Sequence, residues 1–257
     1  MYYRFNLDNS ISFRGVELGR DPLICIPIVS LEKQIIKRLN NLKNEIKLIE
    51  IRFDYLYNQY KDNKDIFEQI NQIKIPYIFT FRSYIESDRG KNAIRIDDET
   101  RIKYYLKAIE QDASLIDFEL SSIKINKNFE KLIEEAHSKD VGVIISYHNF
   151  QETPNPQVLL DKIDEENSYN ADVLKIATMV KNLEDIITID NVTFIARQKF
   201  RKPMMTMGMG QIGKLSRISA VAFGSDIIFA HLGKKSAPGQ LSFSQAKKII
   251  DYLYKGD

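Results

Sequence analysis

One lysine of this 257-residue chain lies where a lysine is costly. Lys175 interrupts the run Val173–Ala177, whose other residues predict a buried strand. A buried ammonium needs a counter-charge or must lose its proton, and burial and nearby cations both favour the neutral amine. Because a neutral amine attacks ketones, Lys175 is a candidate Schiff-base lysine. The structural alternative is a lysine buried against Glu50 or Asp54.

Of the three histidines, His148 is the best candidate for a general acid and base. It directly follows the apolar run Val141–Tyr147, at the end of a predicted strand. His137 falls in a polar helix end and is expected to be exposed, whereas His231 follows a strand and is a weaker rival. Glu86 is placed to hold or polarise the imidazole of His148.

Further polar side chains follow the carboxyl ends of the predicted strands. Taken singly, such residues more often serve structure, as paired arginines or solvent-exposed lysines. Six strand ends that converge on one barrel mouth favour a functional site. The residues are Glu50, Arg52 and Asp54 at the end of the second strand, Arg82 and Ser83 at the end of the third, Ser146, His148 and Asn149 at the end of the fifth, Lys175 in the sixth, Arg217 after the seventh, and Ser236 and Gln240 after the eighth.

Short β-rich runs alternate with helical patterns, which predicts parallel strands covered by helices. Eight strand–helix units favour an α/β fold, a (β/α)8 TIM barrel, as one domain over residues 1–257, with a doubly wound open sheet as the alternative. The segment Gly208–Gly213 reads G-x-G-x-x-G, but this lone match lies outside the usual early strand–turn–helix context. The predicted strands are Leu23–Val29, Lys47–Asp54, Pro76–Arg82, Leu115–Leu120, Val141–Tyr147, Val173–Thr178, Pro203–Met207 and Asp226–Ala230.

Residues 1–22 do not follow this rhythm. Arg4–Leu7 and Ile11–Leu18 are expected to pair as a β-hairpin around Asp8–Ser10, which would cover the bottom of the barrel. Helical spacing predicts further helices over Ile94–Gln111, Phe129–His137 and Pro156–Asn167, and after the capping pair Ser242 and Gln245.

Composition excludes several classes of protein. Apolar residues make up 44% and charged residues 28% of the chain, which is typical of a globular domain, and the net charge of +2 does not favour nucleic acid. The basic residues of Lys33–Lys47 are interleaved with apolar ones and predict an amphipathic helix. Met204–Met209 is expected to be strand core, with a methionine floor under a ligand as the alternative.

Cys25 is the only cysteine, and its apolar neighbours predict a buried thiol. With no internal disulfide possible and no signal-peptide pattern or membrane span, a cytoplasmic location is expected. No metal-binding motif is present, so no metal site is expected.

The sequence resembles the type I 3-dehydroquinate dehydratase family over essentially its whole length. The segments that carry the resemblance are each short, but they occur in order and at barrel spacing. They are Glu50-x-Arg52-x-Asp54, Phe79–Ser83, Ile116-Asp117-x-Glu119-Leu120, Ser146–Phe150, Lys175–Ala177, Phe223–Ser225 and Ser236–Gln240.

The resemblance implies roles for these residues and no dissociable cofactor. Lys175 would form an iminium with 3-dehydroquinate, and His148, supported by Glu86, would remove a proton and return it to the departing hydroxyl. Arg217 would bind the substrate carboxylate. The other implied substrate-binding residues are Glu50, Arg52 and Arg82, and Ser236 and Gln240 on a mobile loop. The resemblance also implies a homodimer, a small-molecule substrate and a place in the shikimate pathway.

The chain departs from the family pattern after the histidine, where Asn149 replaces a common aspartate, and in the loop after Glu86. It also has Ile51 where tryptophan is common and Pro27 near a position that is serine in some members. Two alternatives remain open. A class I aldolase or transaldolase would also use a barrel lysine but would need a phosphate site, and a non-catalytic quinate-type sensor could lose the amine or the imidazole that this chain keeps.

Overall fold

A computed structural model describes residues 10–61, 66–87, 89–233 and 239–254. Nine strands hydrogen-bond in the order β11-β10-β3-β4-β5-β6-β7-β8-β9, and β1 and β2 form a separate hairpin. The strands are β1 Ile11–Phe13, β2 Val16–Leu18, β3 Leu23–Ile28, β4 Leu48–Arg52, β5 Tyr77–Thr80, β6 Leu115–Glu119, β7 Gly142–Asn149, β8 Val173–Met179, β9 Met204–Met209, β10 Ile227–His231 and β11 Leu241–Ser242. The helices are α1 Lys33–Asn41, α2 Phe53–Tyr60, α3 Ile66–Ile70, α4 Asp98–Glu110, α5 Leu120–Ile125, α6 Asn128–Ser138, α7 Pro156–Ser168, α8 Leu183–Phe200, α9 Ser216–Ala222 and α10 Phe243–Tyr254.

The eight predicted strands are confirmed as β3 to β10, with ends that differ by a few residues. Among the helices, α4 begins at Asp98 rather than at Ile94. The reason is local, because the side chain of Asp97 accepts a hydrogen bond from the backbone N–H of Thr100 at 2.7 Å and caps the helix there. The predicted cap of the last helix is confirmed, since Ser242 and Gln245 exchange hydrogen bonds before α10.

An N-terminal hairpin is present, but it lies within the segment that was predicted to be a single strand. Ile11–Leu18 is two strands rather than one, and the turn is Arg14-Gly15. Both turn residues have positive φ, 38° and 86°, as a two-residue hairpin loop with the twist of the flanking strands requires. The predicted strand Arg4–Leu7 and the predicted turn residues Asp8 and Asn9 lie outside the described residues.

The hairpin turn packs beneath the amino ends of strands. The Arg14 guanidinium donates to the carbonyl oxygens of Ile109 and Lys139, at 2.9 and 2.8 Å, just before β6 and β7. Phe13 lies against Gly142, the first residue of β7, where a side chain would collide with the ring. The hairpin therefore covers strand ends opposite to those where the predicted functional residues lie.

The chain divides into two compact units. Of the described residues, the C-terminal unit comprises those within 10–12, 17–24 and 144–254, and the N-terminal unit comprises those within 13–16 and 25–143. In the C-terminal unit β7, β8 and β9 pair in parallel, and every residue of β9 is buried. The expectation that Met204–Met209 is strand core is confirmed.

In the N-terminal unit, residues 25–28 of β3 continue in parallel through β4 and β5 to β6. The outer face of these strands packs on a chain of aromatic rings between sheet and helices, with ring centroids 5.2 to 5.8 Å apart along Phe53, Phe79, Tyr105, Phe118 and Phe129. This aromatic layer fixes α2, α4 and α6 against the sheet.

The glycines of Gly208–Gly213 serve close packing. The Ser216 hydroxyl accepts from the Gly208 N–H at 2.7 Å and donates to the Gly213 carbonyl at 2.7 Å. A side chain on Gly213 would come within 2.7 Å of the Gly208 backbone. The motif therefore lets the turn after β9 approach the strand, and a dinucleotide is not needed to explain it.

The lone thiol of Cys25 is buried, as predicted. No helix in the described part of the chain is both long and apolar enough to cross a membrane.

Candidate active site

The pairing of β7 with β8 brings Lys175 and His148 to one face of the sheet. Ser146 pairs with Lys175, and His148 pairs with Ala177. Residues paired across parallel strands share a face, and residues two apart along a strand also share it. The Cα atoms of Lys175 and His148 are therefore about 8 Å apart on the same face, a spacing that lets both side chains reach one small molecule.

Lys175 is buried, with 3% of its surface exposed. Its Nζ lies 5.2 Å from the centre of the Phe229 ring, and Met205 is its paired neighbour on β9. Its backbone N–H donates to the carboxylate of the fully buried Glu166 on α7 at 3.0 Å. The backbone at Lys175 is thus held from the helix side while the side chain projects from the other face.

Arg217 reaches the same face from the first turn of α9. Met207 pairs with Ala177, so it shares the face of Lys175, and its sulfur lies 3.9 Å from Nη1 of Arg217. The Arg217 side chain is buried, and its Nε has no hydrogen-bond partner among the described residues. Burial lowers the pKa of Arg217 to about 10. A buried guanidinium in this state is a receptor for an anion.

His148 is half-buried and its ring stacks on Phe150, with centroids 6.2 Å apart. Asn149 lies on the opposite face, by the alternation along β7. Its Oδ1 accepts from the backbone N–H groups of Gln151 and Glu152 at 2.9 and 3.0 Å. The residue that departs from the family pattern therefore shapes the turn after β7, which a carboxylate could also do.

The N-terminal unit carries a second set of predicted residues, at the carboxyl ends of β4 and β5. Arg52 donates from Nε and Nη2 to both oxygens of Asp54, each at 3.0 Å, and Thr80 donates to Glu50 at 2.8 Å. All four residues are buried. Pairing with Asp54 is the structural role considered for such an arginine, and it fixes the plane of the guanidinium.

Arg82 belongs to a buried network of charges, which we call the arginine–carboxylate network. Arg82 donates to Asp117 and Glu119 at 3.0 Å each, and Arg101 of α4 donates to the second oxygen of Glu119 at 2.5 Å. Arg101 also donates to the carbonyl of Phe81 at 2.9 Å. Burial opposes charge on each member, but the opposite charges outweigh it. The pKa of Glu119 falls to about 2, and the pKa values of Arg82 and Arg101 rise.

Glu86 is held by the neighbouring strand end. Its Oε1 accepts from the Ser121 hydroxyl at 2.6 Å, and its N–H donates to the Ser83 hydroxyl at 3.4 Å. Ser83 in turn donates its N–H to Glu119 at 2.8 Å. The altered loop after Glu86 thus leaves the carboxylate buried and ordered by contacts within the N-terminal unit.

Sequence reasoning assigned no role to three members of this network, Asp117, Glu119 and Arg101. The two carboxylates had a usable signal, since they alternate within the buried run Leu115–Glu119 and so share a face. Arg101 had none, because its position in α4 gives no indication that it reaches back to the end of β5.

The remaining candidates are placed as follows. Gln240 is buried immediately before β11, which pairs with the carboxyl end of β10, whereas Ser236 lies outside the described residues. His231 ends β10, and its Nδ1 accepts from the N–H of Gly233 at 3.1 Å, so it holds that turn. His137 is in the last turn of α6. No cluster of three or more potential metal ligands occurs in the described ranges.

Comparisons with known proteins agree on one family. Residues 24–257 match the family model for type I 3-dehydroquinase. The 3-dehydroquinate dehydratase of Alkaliphilus oremlandii is 32% identical over 256 residues, covering 95% of this chain and 97% of the relative. That of Geobacillus thermodenitrificans is 30% identical over 257 residues, covering 96% of each.

Solved structures give the same picture. One is the type I 3-dehydroquinate dehydratase from Clostridium difficile, which was crystallised with covalently modified comenic acid. It is 30% identical to this chain and superposes with a TM-score of 0.84, and the match covers 97% of this chain and 99% of the relative. The 3-dehydroquinate dehydratase from Geobacillus kaustophilus is 24% identical and superposes with a TM-score of 0.87, and the match covers 98% of this chain and 99% of the chain from Geobacillus kaustophilus. The predicted fold class, a (β/α)8 barrel with an N-terminal hairpin, is confirmed.

Proposed function

The chain belongs to the type I 3-dehydroquinase family, and we propose that it dehydrates 3-dehydroquinate to 3-dehydroshikimate through a Schiff base at Lys175. One observation carries the proposal. A buried lysine, a histidine and a buried arginine share one face at the carboxyl ends of β7, β8 and the turn after β9. These are a nucleophile, a proton carrier and an anion receptor, the three groups that dehydration of a keto acid needs.

Lys175 supplies covalent catalysis. Its neutral amine adds to the C3 carbonyl of the substrate, and the resulting carbinolamine loses the carbonyl oxygen as water to give an iminium. The amine is buried beside the ring of Phe229, where bulk water is kept away from the reacting atoms. The iminium then withdraws electrons from the adjacent carbon and makes its C2 proton acidic.

His148 moves the proton. It takes the C2 proton, and the C–H electrons move into the iminium to form an enamine. The enamine expels the C1 hydroxyl, to which His148 returns the same proton, so that this oxygen leaves as water. Hydrolysis of the new iminium consumes one water and releases the conjugated enone and the free amine. The net reaction is the loss of one water.

Arg217 would hold the substrate carboxylate. Its buried guanidinium contacts the Met207 sulfur, a weak acceptor, and offers parallel N–H groups that match a carboxylate. An anion there would also offset the cost of burying the charge. Orientation of the carboxylate would fix the ring relative to Lys175 and His148.

The residues of the N-terminal unit would contribute substrate contacts. Glu50, Arg52 and Arg82 would contact substrate hydroxyls, and Glu86 would support His148. Their fixed geometry within the unit suits such roles because each is already oriented by buried hydrogen bonds. Ser236 and Gln240 would belong to a loop that closes over the bound substrate.

Support for covalent chemistry comes from the Clostridium difficile relative, which was crystallised with a covalently modified ligand. By the same family membership we propose that the chain acts as a homodimer in the shikimate pathway. The single buried cysteine fits the proposed cytoplasmic location.

The test is the ultraviolet absorbance of the enone product when 3-dehydroquinate is added. The protein should produce it, and His148→Ala should lower kcat by at least ~10³-fold while still forming the imine, because only proton transfer is lost. His137→Ala, in a helix end, is the matched control and should retain full activity. No absorbance from the unaltered protein, or normal turnover by His148→Ala, would contradict the proposal.

A further inference from the structure

The ring of Tyr55 contacts two arginines at the carboxyl end of β4. The Cζ atom of Arg52 lies 5.0 Å from the ring centroid, and the Cζ atom of Arg89 lies 4.9 Å from it. Tyr55 is in the first turn of α2 and is half-buried. A guanidinium at this distance over the face of a tyrosine is attracted by the ring, so Tyr55 helps to hold both arginine side chains.

Asp54 joins the same two arginines by hydrogen bonds. Its carboxylate accepts from Nε and Nη2 of Arg52 at 3.0 Å each, while its carbonyl oxygen accepts from Nη1 of Arg89 at 2.7 Å. The carboxylate also reduces the repulsion between the two cations. Arg89 therefore contacts Tyr55 and Asp54, and each of these contacts the guanidinium of Arg52. All four residues belong to the N-terminal unit.

Arg89 lies in the loop after Glu86, where the chain departs from the family pattern. Its backbone N–H donates to the Ser87 hydroxyl at 3.2 Å, and its carbonyl oxygen accepts from the N–H of Asn92 at 3.0 Å. These two bonds fix the backbone at Arg89, and its half-buried side chain spans 35 positions of sequence to reach Asp54. The altered loop therefore delivers one arginine to the end of β4.

We propose that Arg89 is a positioning residue, which holds the guanidinium of Arg52 ready for the substrate through Tyr55 and Asp54. This inference rests on the proposed contact between Arg52 and a substrate hydroxyl. An arginine side chain loses rotational freedom when it binds a ligand, and contacts that restrict it beforehand reduce that cost. The hydrogen bond and the cation–π contact that Arg89 makes favour the held arrangement by roughly a factor of 10.

The first test compares two arginines of the connection between β5 and α4, each placed over a tyrosine ring. Arg89→Met should raise the KM for 3-dehydroquinate ~10-fold and leave kcat within about twofold, because only binding is impaired. A purely structural role would instead lower the active fraction and therefore kcat. Arg95 lies 4.8 Å from the centroid of Tyr84 and is the matched control, so Arg95→Met should leave both constants unchanged.

Two results of this comparison would overturn the inference. One is an unchanged KM in Arg89→Met. The other is an equal rise of KM in Arg95→Met, which is the result expected if surface charge alone attracted the anionic substrate.

A double-mutant cycle asks whether Arg89 acts through Arg52. In the Arg52→Met background, Arg89→Met should change kcat/KM by less than about twofold, because the side chain that it positions is gone. A further loss of ~10-fold, equal to the loss in the unaltered background, would show that Arg89 binds the substrate by itself and would overturn the positioning role.

Chemical labelling of Arg52 tests the same inference without turnover. Arg52 is 8% exposed, so phenylglyoxal should modify it slowly in the unaltered protein, as read by mass spectrometry of its peptide. Arg89→Met should raise the rate of labelling at Arg52 at least ~5-fold, because the side chain is released more often, and Arg95→Met should not.

The labelling also separates this inference from the proposed reaction. If the unaltered protein did not dehydrate 3-dehydroquinate while the labelling changed as expected, the proposed reaction would fail and the positioning of Arg52 by Arg89 would stand. Unchanged labelling of Arg52 in Arg89→Met would overturn the inference, whatever the activity of the unaltered protein.

Discussion

Buried arginines in the two units have opposite surroundings. In the N-terminal unit Arg82 and Arg101 share the carboxylate of Glu119, and their pKa values are raised. In the C-terminal unit Arg217 is equally buried, contacts the sulfur of Met207, and has a pKa lowered to about 10. The first arrangement is complete without a ligand, and the second gains most when an anion binds.

The contrast is not a property of the C-terminal unit as a whole. Arg197 of α8 makes an ion pair with both oxygens of Asp226 and donates to the carbonyl of Lys202 at 2.9 Å. This unit therefore pairs the guanidinium of Arg197 with a carboxylate, whereas the guanidinium of Arg217 contacts only a weak acceptor among the described residues. Satisfied arginines stabilise and orient the fold, whereas an arginine of the second kind indicates where an anionic substrate binds.

Replacement of Arg217 should impair substrate binding without lowering the stability of the fold, and its effect should be the largest of those predicted. We expect Arg217→Met to lower kcat/KM by ~10³-fold, about 4 kcal/mol, because the substrate carboxylate loses a buried charged partner. The free energy of unfolding should stay unchanged or rise, since an uncompensated buried charge is removed. Steady-state kinetics and urea unfolding measure the two effects. If Arg217→Met lowered the free energy of unfolding and left kcat/KM unchanged, Arg217 would be a structural residue rather than a substrate-binding one.

Replacement of Arg101 should do the opposite. Arg101→Met leaves the Glu119 carboxylate buried with one fewer cation, and we expect it to lower the free energy of unfolding by about 3 kcal/mol. Activity should fall as well, since Glu119 positions Arg82 and Ser83. Arg101→Lys keeps the charge and should recover part of the stability. Urea unfolding measures the change in the free energy of unfolding, provided that the m-value stays constant. An unchanged free energy of unfolding in Arg101→Met would show that the arginine–carboxylate network does not stabilise the fold.

The carboxylate of Asp190 is buried like that of Glu119, but its partner is a hydroxyl rather than a cation. Within the described residues, Asp190 accepts a hydrogen bond from Ser219 and has no ion pair. Burial raises the pKa of Asp190 to about 6, so the folded state holds a proton that the unfolded chain loses near pH 4. Stability is therefore lost as pH rises from about 4 through 6.

Asp190→Asn should consequently raise the free energy of unfolding by roughly 1 kcal/mol at pH 7.5 and leave it unchanged at pH 4. Thermal unfolding at both pH values measures this difference. Asp161→Asn on the exposed face of α7 is the control and should show no such pH-dependent gain. A gain at pH 4 equal to that at pH 7.5 would mean that charge is not the cause.

Much of this architecture was accessible from sequence for a physical reason. Strands covered on both faces read as near-continuous apolar runs, so all eight barrel strands could be found. Lys175 and His148 were visible because they interrupt or end such runs. That the two side chains share a face depends on strand register, which the sequence leaves open because a one-residue slip reverses every side chain.

Other features needed three-dimensional information. The hairpin turn at Arg14-Gly15 lacks the usual asparagine or aspartate, so Asp8–Ser10 was the stronger turn signal. Arg101 meets Glu119 across 18 positions of sequence, and nothing local to either residue indicates the pair. The satisfied state of Arg82 and the unsatisfied Nε of Arg217 likewise depend on packing, since both residues follow strand ends in the same way.

The central claim is that Lys175 forms a covalent imine with the substrate, and reductive trapping tests it most directly. Sodium borohydride added with 3-dehydroquinate should reduce the imine and attach the ligand to one peptide, the peptide that contains Lys175, as read by mass spectrometry. Lys175→Ala should remain unmodified under the same conditions. An unmodified Lys175 in the unaltered protein during turnover, or a label on another lysine, would contradict the account.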